Sequence, residues 1–316
     1  MPEPSLSSPN DAAFIVRPTQ FAERISFVAF WAIHWGCLAA IWTGVTWRAA
    51  VICIVLYWAR MFGITAGYHR YFSHRTYKTS RAFQLFLAVL GTLSIQKGPL
   101  WWAANHRHHH KFSDLPEDIH SPRQRGFWYS HVQWITSGDH ITTDLRAVKD
   151  LAKYPELHWL GKWHWVPPLI LGILCYVIAG WSGFVVGMGW STVLVWHWTF
   201  TINSLSHVFG RVRYATGDDS KNNWFLAFFT MGEGWHNNHH HYQYSANQGF
   251  FWWEFDFSYY ILKALSWVGI VWELRKPPAR ALVVTPIEPA VAGAAVGPIS
   301  MPLPPEELAS FPAEAT

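Results

Sequence analysis

Whether the run AFQLFLAVLGTLSIQKGPLWW (residues 82–102) crosses a membrane sets the topology of the whole chain. Lys97 is its only charge. By hydropathy it nearly qualifies as a span, which takes about 20 apolar residues. Histidines crowd both of its ends: His69 and His74 lie upstream, and His106, His108, His109 and His110 downstream. If the run crossed, these two sets would lie on opposite membrane faces and could not share a metal site. We therefore read it as a membrane-surface or re-entrant helix, a placement that depends on the histidines binding metal.

Working outward, the chain has 316 residues, of which only 14% are charged, and it carries a net charge of +4. Soluble domains carry about 25% charged residues, so the deficit points to a membrane. Apolar residues come in blocks. Ile25–Trp47 is uncharged and long enough to span. A second block runs over 49–68 and contains Arg60, which could snorkel or pair inside the bundle. With Trp47 and Arg48 as its turn, this pair forms a tight hairpin. The uncharged stretch from Trp165 to Asn203 is too long for one span, and Gly180-Trp181-Ser182-Gly183 is a natural break. This predicts helices over 164–180 and 183–206. Trp47, Trp101, Trp102, Trp163 and Trp165 sit at the ends of apolar runs, as in interfacial belts. Arg17, Arg24, Arg70, Arg75, Lys78, Arg211 and Arg213 flank the spans and favour a cytoplasmic placement of both termini and the histidines.

Residues 1–20 read as a disordered lead, 21–275 as the functional domain and 276–316 as a flexible Pro/Ala-rich tail. The N-terminus lacks the pattern of a secretory signal. Cys37, Cys53 and Cys175 lie in apolar runs without metal-site spacing and read as buried hydrophobes. No Lys/Arg tract suggests a nucleic-acid partner.

Among 18 histidines the spacing carries the signal. His106, His109 and His110 follow H-x-x-H-H, as do His236, His239 and His240. Positions i, i+3 and i+4 share a helix face, so each triplet can point at a common centre. His69 and His74 are five apart, about 140° around an ideal helix, which suits a helix end or two different metals. Asn203 and His207 are four apart and face one way. His34, His131, His140, His158, His164 and His197 read as satisfied polar residues. His108 and His241 fall off the ligand faces, and His120 is left open. Nine imidazoles are too many for one ion. Zinc offers no redox chemistry and takes four ligands, and haem needs only axial ones. Two irons fit oxygen activation best. A carboxylate-bridged site built on E-x-x-H pairs has two candidate strings, at Glu117 with His120 and at Glu233 with His236, but Glu117 follows Pro116 in a loop. Glu233 could instead orient a ligand histidine.

The strings GYHRYFSH (67–74), WAANHRHHHKFS (102–113), RGFWYSHVQW (125–134), NSLSH (203–207) and GEGWHNNHH (232–240) closely resemble the membrane fatty acid desaturase family. The likeness is to its acyl-CoA Δ9, stearoyl-type branch, in a bacterial-like form without fused cytochrome b5, over roughly residues 25–275. H-x-x-H-H alone also occurs in related hydroxylases and ketolases. The resemblance implies an all-α membrane protein with four transmembrane helices in two hairpins. A cytosolic helical cap would hold the di-iron site. Its implied ligands are His69, His74, His106, His109, His110, His207, His236, His239 and His240, with Asn203 linked through water. Implied too are O2 as co-substrate and insertion of a cis Δ9 double bond into a saturated acyl chain, with no separate acid or base residue. Electrons would come from an external carrier of the ferredoxin or cytochrome b5 type with its reductase, since no H-P-G-G string is present.

Asn105 departs from the acid that animal acyl-CoA enzymes carry there, so acyl-CoA and acyl-lipid both stay open as substrate. Lys97, Asn105, Arg107, Lys111, Arg123 and Arg125 are candidates to hold the substrate headgroup. Trp101, Trp102, Phe127, Trp128 and Trp198 are candidates for the tunnel wall. Rival readings are a di-iron lipid hydroxylase and a metal-binding membrane transporter or sensor, although transporters bind at the bilayer midplane.

Overall fold

A computed structural model describes residues 14–284. Most of the expected lead and tail lies outside the described residues. Ile15–Val16 forms a short strand, β1. The first helix, α1 (Gln20–Gly36), continues through a 3-10 turn and Ala40–Thr43, giving an apolar stretch Arg24–Thr43 long enough to cross a membrane. The window is almost wholly unburied by protein, as expected of a lipid-facing helix. Gly44, at φ 69°, ends it. The Thr46 hydroxyl then accepts from Ala49 N at 3.2 Å and caps α2 (Trp47–Phe62). The turn is therefore Gly44–Thr46. Trp47 and Arg48, expected to form it, already belong to the helix.

Helix α2 runs on without a break as a π-helix, Gly63–Ser73, so that Trp47–Ser73 is a second helix of spanning length. After β2 (Lys78–Thr79), the run 82–102 resolves into two helices. Helix α3 (Arg81–Thr92) is capped by Ser80, whose hydroxyl accepts from Phe83 N. Gly98 and Pro99 then open α4 (Pro99–Phe112), proline being suited to a first helical position. Ile95 and Lys97 take positive φ in the break. At 1.5 Å per residue α3 is about 18 Å long, short of a bilayer core of about 30 Å. Glycines let α3 lie against the π-helix. A Cβ on Gly63 would sit 2.7 Å from Leu90 C, and one on Gly91 would meet the Tyr68 ring.

The third long apolar stretch, Val166–Val208, is not straight. Helix α5 (Val166–Ser182) contains non-helical Ala179 and Gly180, the latter at φ 60°, ψ −153°. A π-helical Gly183–Trp190 and α6 (Ser191–Asn203) follow. Gly172 lies against the Phe184 ring, which a straight helix would hold about 18 Å away. The break thus falls where the glycine cluster placed it. Ser182 ties this turn to the first one, its hydroxyl donating to Gly44 O at 2.8 Å. Arg60 is 0% exposed and does not snorkel. It donates to Thr192 Oγ1 (2.7 Å), to Leu93 O (3.3 Å), to Leu56 O (3.1 Å) and to Ser191 Oγ. Its acceptors are all neutral, but each guanidinium nitrogen has at least one, which offsets part of the cost of burying the charge.

Strand β1 pairs antiparallel with β3 (Thr143–Asp144), so the segment ahead of α1 is anchored from Ile15 onward. Strand β2 pairs with β4 (Val271–Trp272). The expected tail is also held at its start, where Ala281 packs with Tyr214, Tyr242 and Phe250. Trp47 (73% exposed), Trp163 and Trp165 are exposed as belt residues would be. Trp101 and Trp102 are not in a belt. They turn inward on α4, where Trp101 Nε1 donates to His140 O and Trp102 Nε1 to Gln96 Oε1.

Candidate metal centre

Nine imidazoles from four segments converge in two groups. His69, His74, His106, His110 and His239 form one, and His109, His207, His236 and His240 the other, with ligand atoms in each group within 4.8 Å of one another. This corrects the expectation that each H-x-x-H-H triplet aims at one centre. On α4 the i,i+4 pair His106 and His110 enters the first group, and His109 the second. On the short helix α8 (His236–His241; α7 is Leu205–Val208) His236 and His240 enter the second group and His239 the first. The reason is angular. At about 100° per residue, i and i+4 are roughly 40° apart, whereas i+3 and i+4 diverge by about 100°. One triplet therefore straddles two centres.

His69 and His74 enter the same group, an arrangement suited to one shared ion. The π-helix explains it. His74 N donates to His69 O, an i→i−5 bond, and five residues make little more than one turn of such a helix. The rings come to 4.8 Å between centroids. Asn203 and His207 do not share one helix. Ser204 (φ −105°, ψ −71°) breaks it, and His207 sits on α7, while Asn203 ends α6 and lines a cavity with His106, His109 and His236.

Four carboxylates fix ring orientation through Nδ1. His69 meets Glu233 at 2.5 Å, His109 meets Asp118 at 2.9 Å, His207 meets Asp114 at 2.8 Å, and His240 meets Asp218 at 2.6 Å. A carboxylate on Nδ1–H leaves the Nε2 lone pair for a metal. Burial alone would raise Asp114, Asp118 and Asp218, but the adjacent histidines hold them below the usual carboxylate range. Glu233 is likewise lowered by His69 and Arg70 despite burial. Arg70 is wholly buried between Glu233 (3.0 Å) and Asp256 (2.8 Å), so it props the site and does not mark a membrane flank. Only Glu233 of these acids was foreseen. Asp114, Asp118 and Asp218 could have been sought in the D-x-x-x-D string after the second cluster and in the Gly217-Asp218-Asp219 turn.

The donor set fits metal ions. His109 Nε2 and His240 Nε2 are buried without a hydrogen-bond partner, while their Nδ1 atoms are committed to carboxylates. Nε2 atoms of His69 and His239, His74 and His106, and His207 and His236 stand 3.0, 2.8 and 3.0 Å apart. Two nitrogens bound at right angles to one ion at about 2.1 Å would be about 3.0 Å apart. Burial, then neighbouring imidazoles, push His74, His106, His110, His236 and His239 well below the usual histidine pKa, which keeps them neutral and able to ligate.

His34, His131 and His197 stand outside both groups. They form a hydrogen-bonded chain, with contacts of 3.1 and 3.0 Å, that ends on Ser204 Oγ. His120 is buried beside His109 and Asp118.

Two cavities adjoin the centre. One is lined by Met61, Ile64, Thr65, His69, Trp102, Asn203 and His236 among others. The other is lined by Trp101, Trp102, Asn105, Ile119, His120 and Trp134 among others. Of the tunnel candidates, Trp101 and Trp102 therefore line cavities, and Trp102 stacks on His106 at 4.9 Å. Trp198 stacks instead on Phe229, Phe127 on His131, and Trp128 is 72% exposed; none of the three is among the lining residues. Of the headgroup candidates, Asn105 lines the second cavity, its amide donating to Trp101 O. Lys97 lies over the Trp101 ring at 4.3 Å. Arg107 is engaged by Asp150 and by the carbonyls of Phe72, Ser73 and Ala147. Arg123 pairs with Asp219, Arg125 with Asp139, and Lys111 is exposed over Phe112.

The chain's sequence is similar to those of known proteins. The family model described as fatty acid desaturase matches residues 45–265. The sn-1 stearoyl-lipid 9-desaturase of Anabaena variabilis is 37% identical over 254 residues, covering 79% of this chain and 93% of its own. Delta-9 acyl-lipid desaturase 1 of Arabidopsis thaliana is 37% identical over 248 residues, covering 78% and 81%. Icosanoyl-CoA 5-desaturase of Limnanthes douglasii is 37% identical over 239 residues, covering 73% and 67%. A histidine-lined double centre beside an apolar cavity, together with matches spanning most of the chain, places it: this chain belongs to the fatty acid desaturase family.

Proposed function

We propose that the chain is an O2-dependent fatty acyl desaturase that inserts a cis double bond at Δ9 of a saturated acyl chain. The observation that carries this is the pair of histidine groups, both of which contribute residues to the lining of one largely apolar cavity. The names of the relatives, 9-desaturases among them, support the reaction and the position. The reaction takes a CH2–CH2 unit, O2, two electrons and two protons to CH=CH and two waters. Two iron ions, when bound, would supply O2 activation and hydrogen abstraction from an unactivated methylene.

The residues do the rest. His69, His74, His106, His110 and His239 hold one ion. His109, His207, His236 and His240 hold the other, with Asn203 acting through water. Glu233, Asp118, Asp114 and Asp218 keep four of the rings in the ligating tautomer. The apolar cavity positions the chain against the centre and excludes bulk water, and selectivity follows from that positioning.

We read the fold as four spans in two hairpins within a desaturase domain over 21–275. The reversal at Gly180 supports the second hairpin. The termini and the metal centre face the cytoplasm, with the electron donor a separate ferredoxin or cytochrome b5 type protein and its reductase. Pairing of β1 with the cap supports a common side for the N-terminus and the centre.

The test is the fatty acid profile of a desaturase-deficient host expressing the chain, with double-bond positions mapped. A new cis Δ9 alkene is expected. A new hydroxyl without unsaturation would instead establish the hydroxylase. Readily exchangeable iron without O2 consumption would favour transport. His239→Ala should lose both iron and activity, and an active variant would refute the ligand assignment.

A further inference from the structure

Arg60 is a buried cation that the proposed chemistry does not use. It is 0% exposed, and its side chain bonds groups from three places in the chain. Nε donates to Leu56 O, one turn back on α2. Nη1 donates to Thr192 Oγ1 on α6 at 2.7 Å and to Leu93 O at 3.3 Å, and Nη2 donates to Ser191 Oγ. Each of these partners is neutral. A methionine of similar length could fill the same space without burying a charge. Exchanges of buried ionic groups for packed hydrocarbon are often neutral or stabilising. Stability alone therefore does not call for arginine here. The planar fork does what a hydrocarbon cannot: it grips a carbonyl and two hydroxyls of different elements in fixed directions.

Leu93 opens the break between α3 and α4, residues 93–98. This is not a relaxed turn. Ile95 and Lys97 take φ of 56° and 61°, and for a β-branched isoleucine that is an outlier which only its surroundings can hold. The holding contacts come from the neighbouring helices. Ser94 Oγ donates to Arg60 O at 3.3 Å, Trp196 Nε1 to Ser94 O at 2.8 Å, and Tyr68 OH to Lys97 O at 2.9 Å. Arg60 thus engages the break through both its guanidinium and its carbonyl.

The break carries Gln96 into the wall of the second cavity. Gln96 Nε2 donates to Thr199 Oγ1 at 3.2 Å, and Gln96 Oε1 accepts from Trp102 Nε1 at 3.3 Å. Thr199 and Trp102 line both cavities, as do His106 and Asn203. The spacing of the walls beside the histidines therefore depends on where the break is held. A saturated chain offers no polar handle near its reacting carbons, and sliding it by one methylene leaves its contacts with an apolar wall almost unchanged. Its register there is set by the shape of the wall, which must be rigid to select one position. We propose that Arg60 is a specificity-determining positioning residue: its guanidinium pins the break at 93–98 and so fixes which methylene pair of the acyl chain lies beside the histidine groups. This rests on the desaturase reading above.

Wild type, R60M and S191A/T192V are expressed in a desaturase-deficient host, and the double-bond positions of the products are mapped. The double variant removes the two hydroxyl acceptors and keeps Arg60. Iron content and deuterium exchange of the backbone amides over 93–98 are measured on the same proteins, purified and iron-loaded in nanodiscs. The wild type is expected to place the bond at one position. Rejecting a one-methylene error is worth about 10–200-fold, so both variants should raise the share of product at neighbouring positions by about tenfold or more. Iron content should match the wild type. Exchange over 93–98 should quicken about tenfold, as fits the loss of a bond from a charged donor.

A single bond position in either variant that yields product, with or without faster exchange, overturns the proposal. So does a mixture of positions without faster exchange, or no product from both variants. A wild type that yields no unsaturated product rejects the desaturase reading and the proposal with it.

Discussion

His109 shows what one residue does in this site. Its Nδ1 is tied to Asp118 and its Nε2 is buried with no partner, so the ring has one tautomer and one vacant lone pair. Asp118→Asn keeps the shape but weakens the tie that selects that tautomer. Partners of this kind are worth about 10–100-fold in metal affinity. We expect iron lost to a chelator at correspondingly lower concentration from the variant than from the wild type; equal retention would show that Asp118 does not orient His109. Such partners were hard to read in the sequence because they are made through space. Asp114 and His207 are 93 positions apart, and neither residue's neighbours announce the other.

At the level of elements, the π-helix Gly63–Ser73 matters most. A periodicity argument assumes 3.6 residues per turn, so it set His69 and His74 apart, and the wider π turn brings them together. The same segment needs α3 pressed against it, which Gly63 and Gly91 permit. Gly63→Ala would put a methyl 2.7 Å from Leu90 C, backbone that cannot step aside. Overpacking of this kind costs about 1–3 kcal/mol. Thermal unfolding in detergent should register a lower Tm for the variant, and an unchanged Tm would mean the contact has slack. The break at Leu93–Gly98 was invisible to hydropathy, which counts apolar residues across it. Gly98 and Pro99 were its only written signals.

For the whole molecule, the cluster couples stability to pH. In the folded iron-free protein His74, His106, His110, His236 and His239 resist protonation, because burial and then neighbouring rings depress their pKa. The unfolded chain takes up protons at these positions near the ordinary histidine value of about 6.5. It therefore binds more protons than the folded state below that pH, and stability must fall as the solution is acidified. Iron-free protein should lose Tm progressively from about pH 6.5 downward, and bound iron should delay the loss by competing with protons. A flat profile between pH 7 and 5.5 would contradict the burial of these rings.

The sequence by itself determined that the chain carries helices long and apolar enough to cross a membrane, and histidine clusters that could hold metal. Apolar blocks, a charge deficit and repeated H-x-x-H-H are local properties, and local properties do not depend on tertiary contacts. It also marked the reversal near Gly180, since a glycine cluster is punctuation wherever it lies. Only the tertiary structure decided which histidine joins which group. A helical stripe 100° wide faces two targets at once, and the choice between them depends on where the neighbouring helices stand. The carboxylates behind the rings and the neutral cage around Arg60 were settled in the same way. Each depends on distances between residues far apart in the chain, and spacing along one chain does not encode those distances.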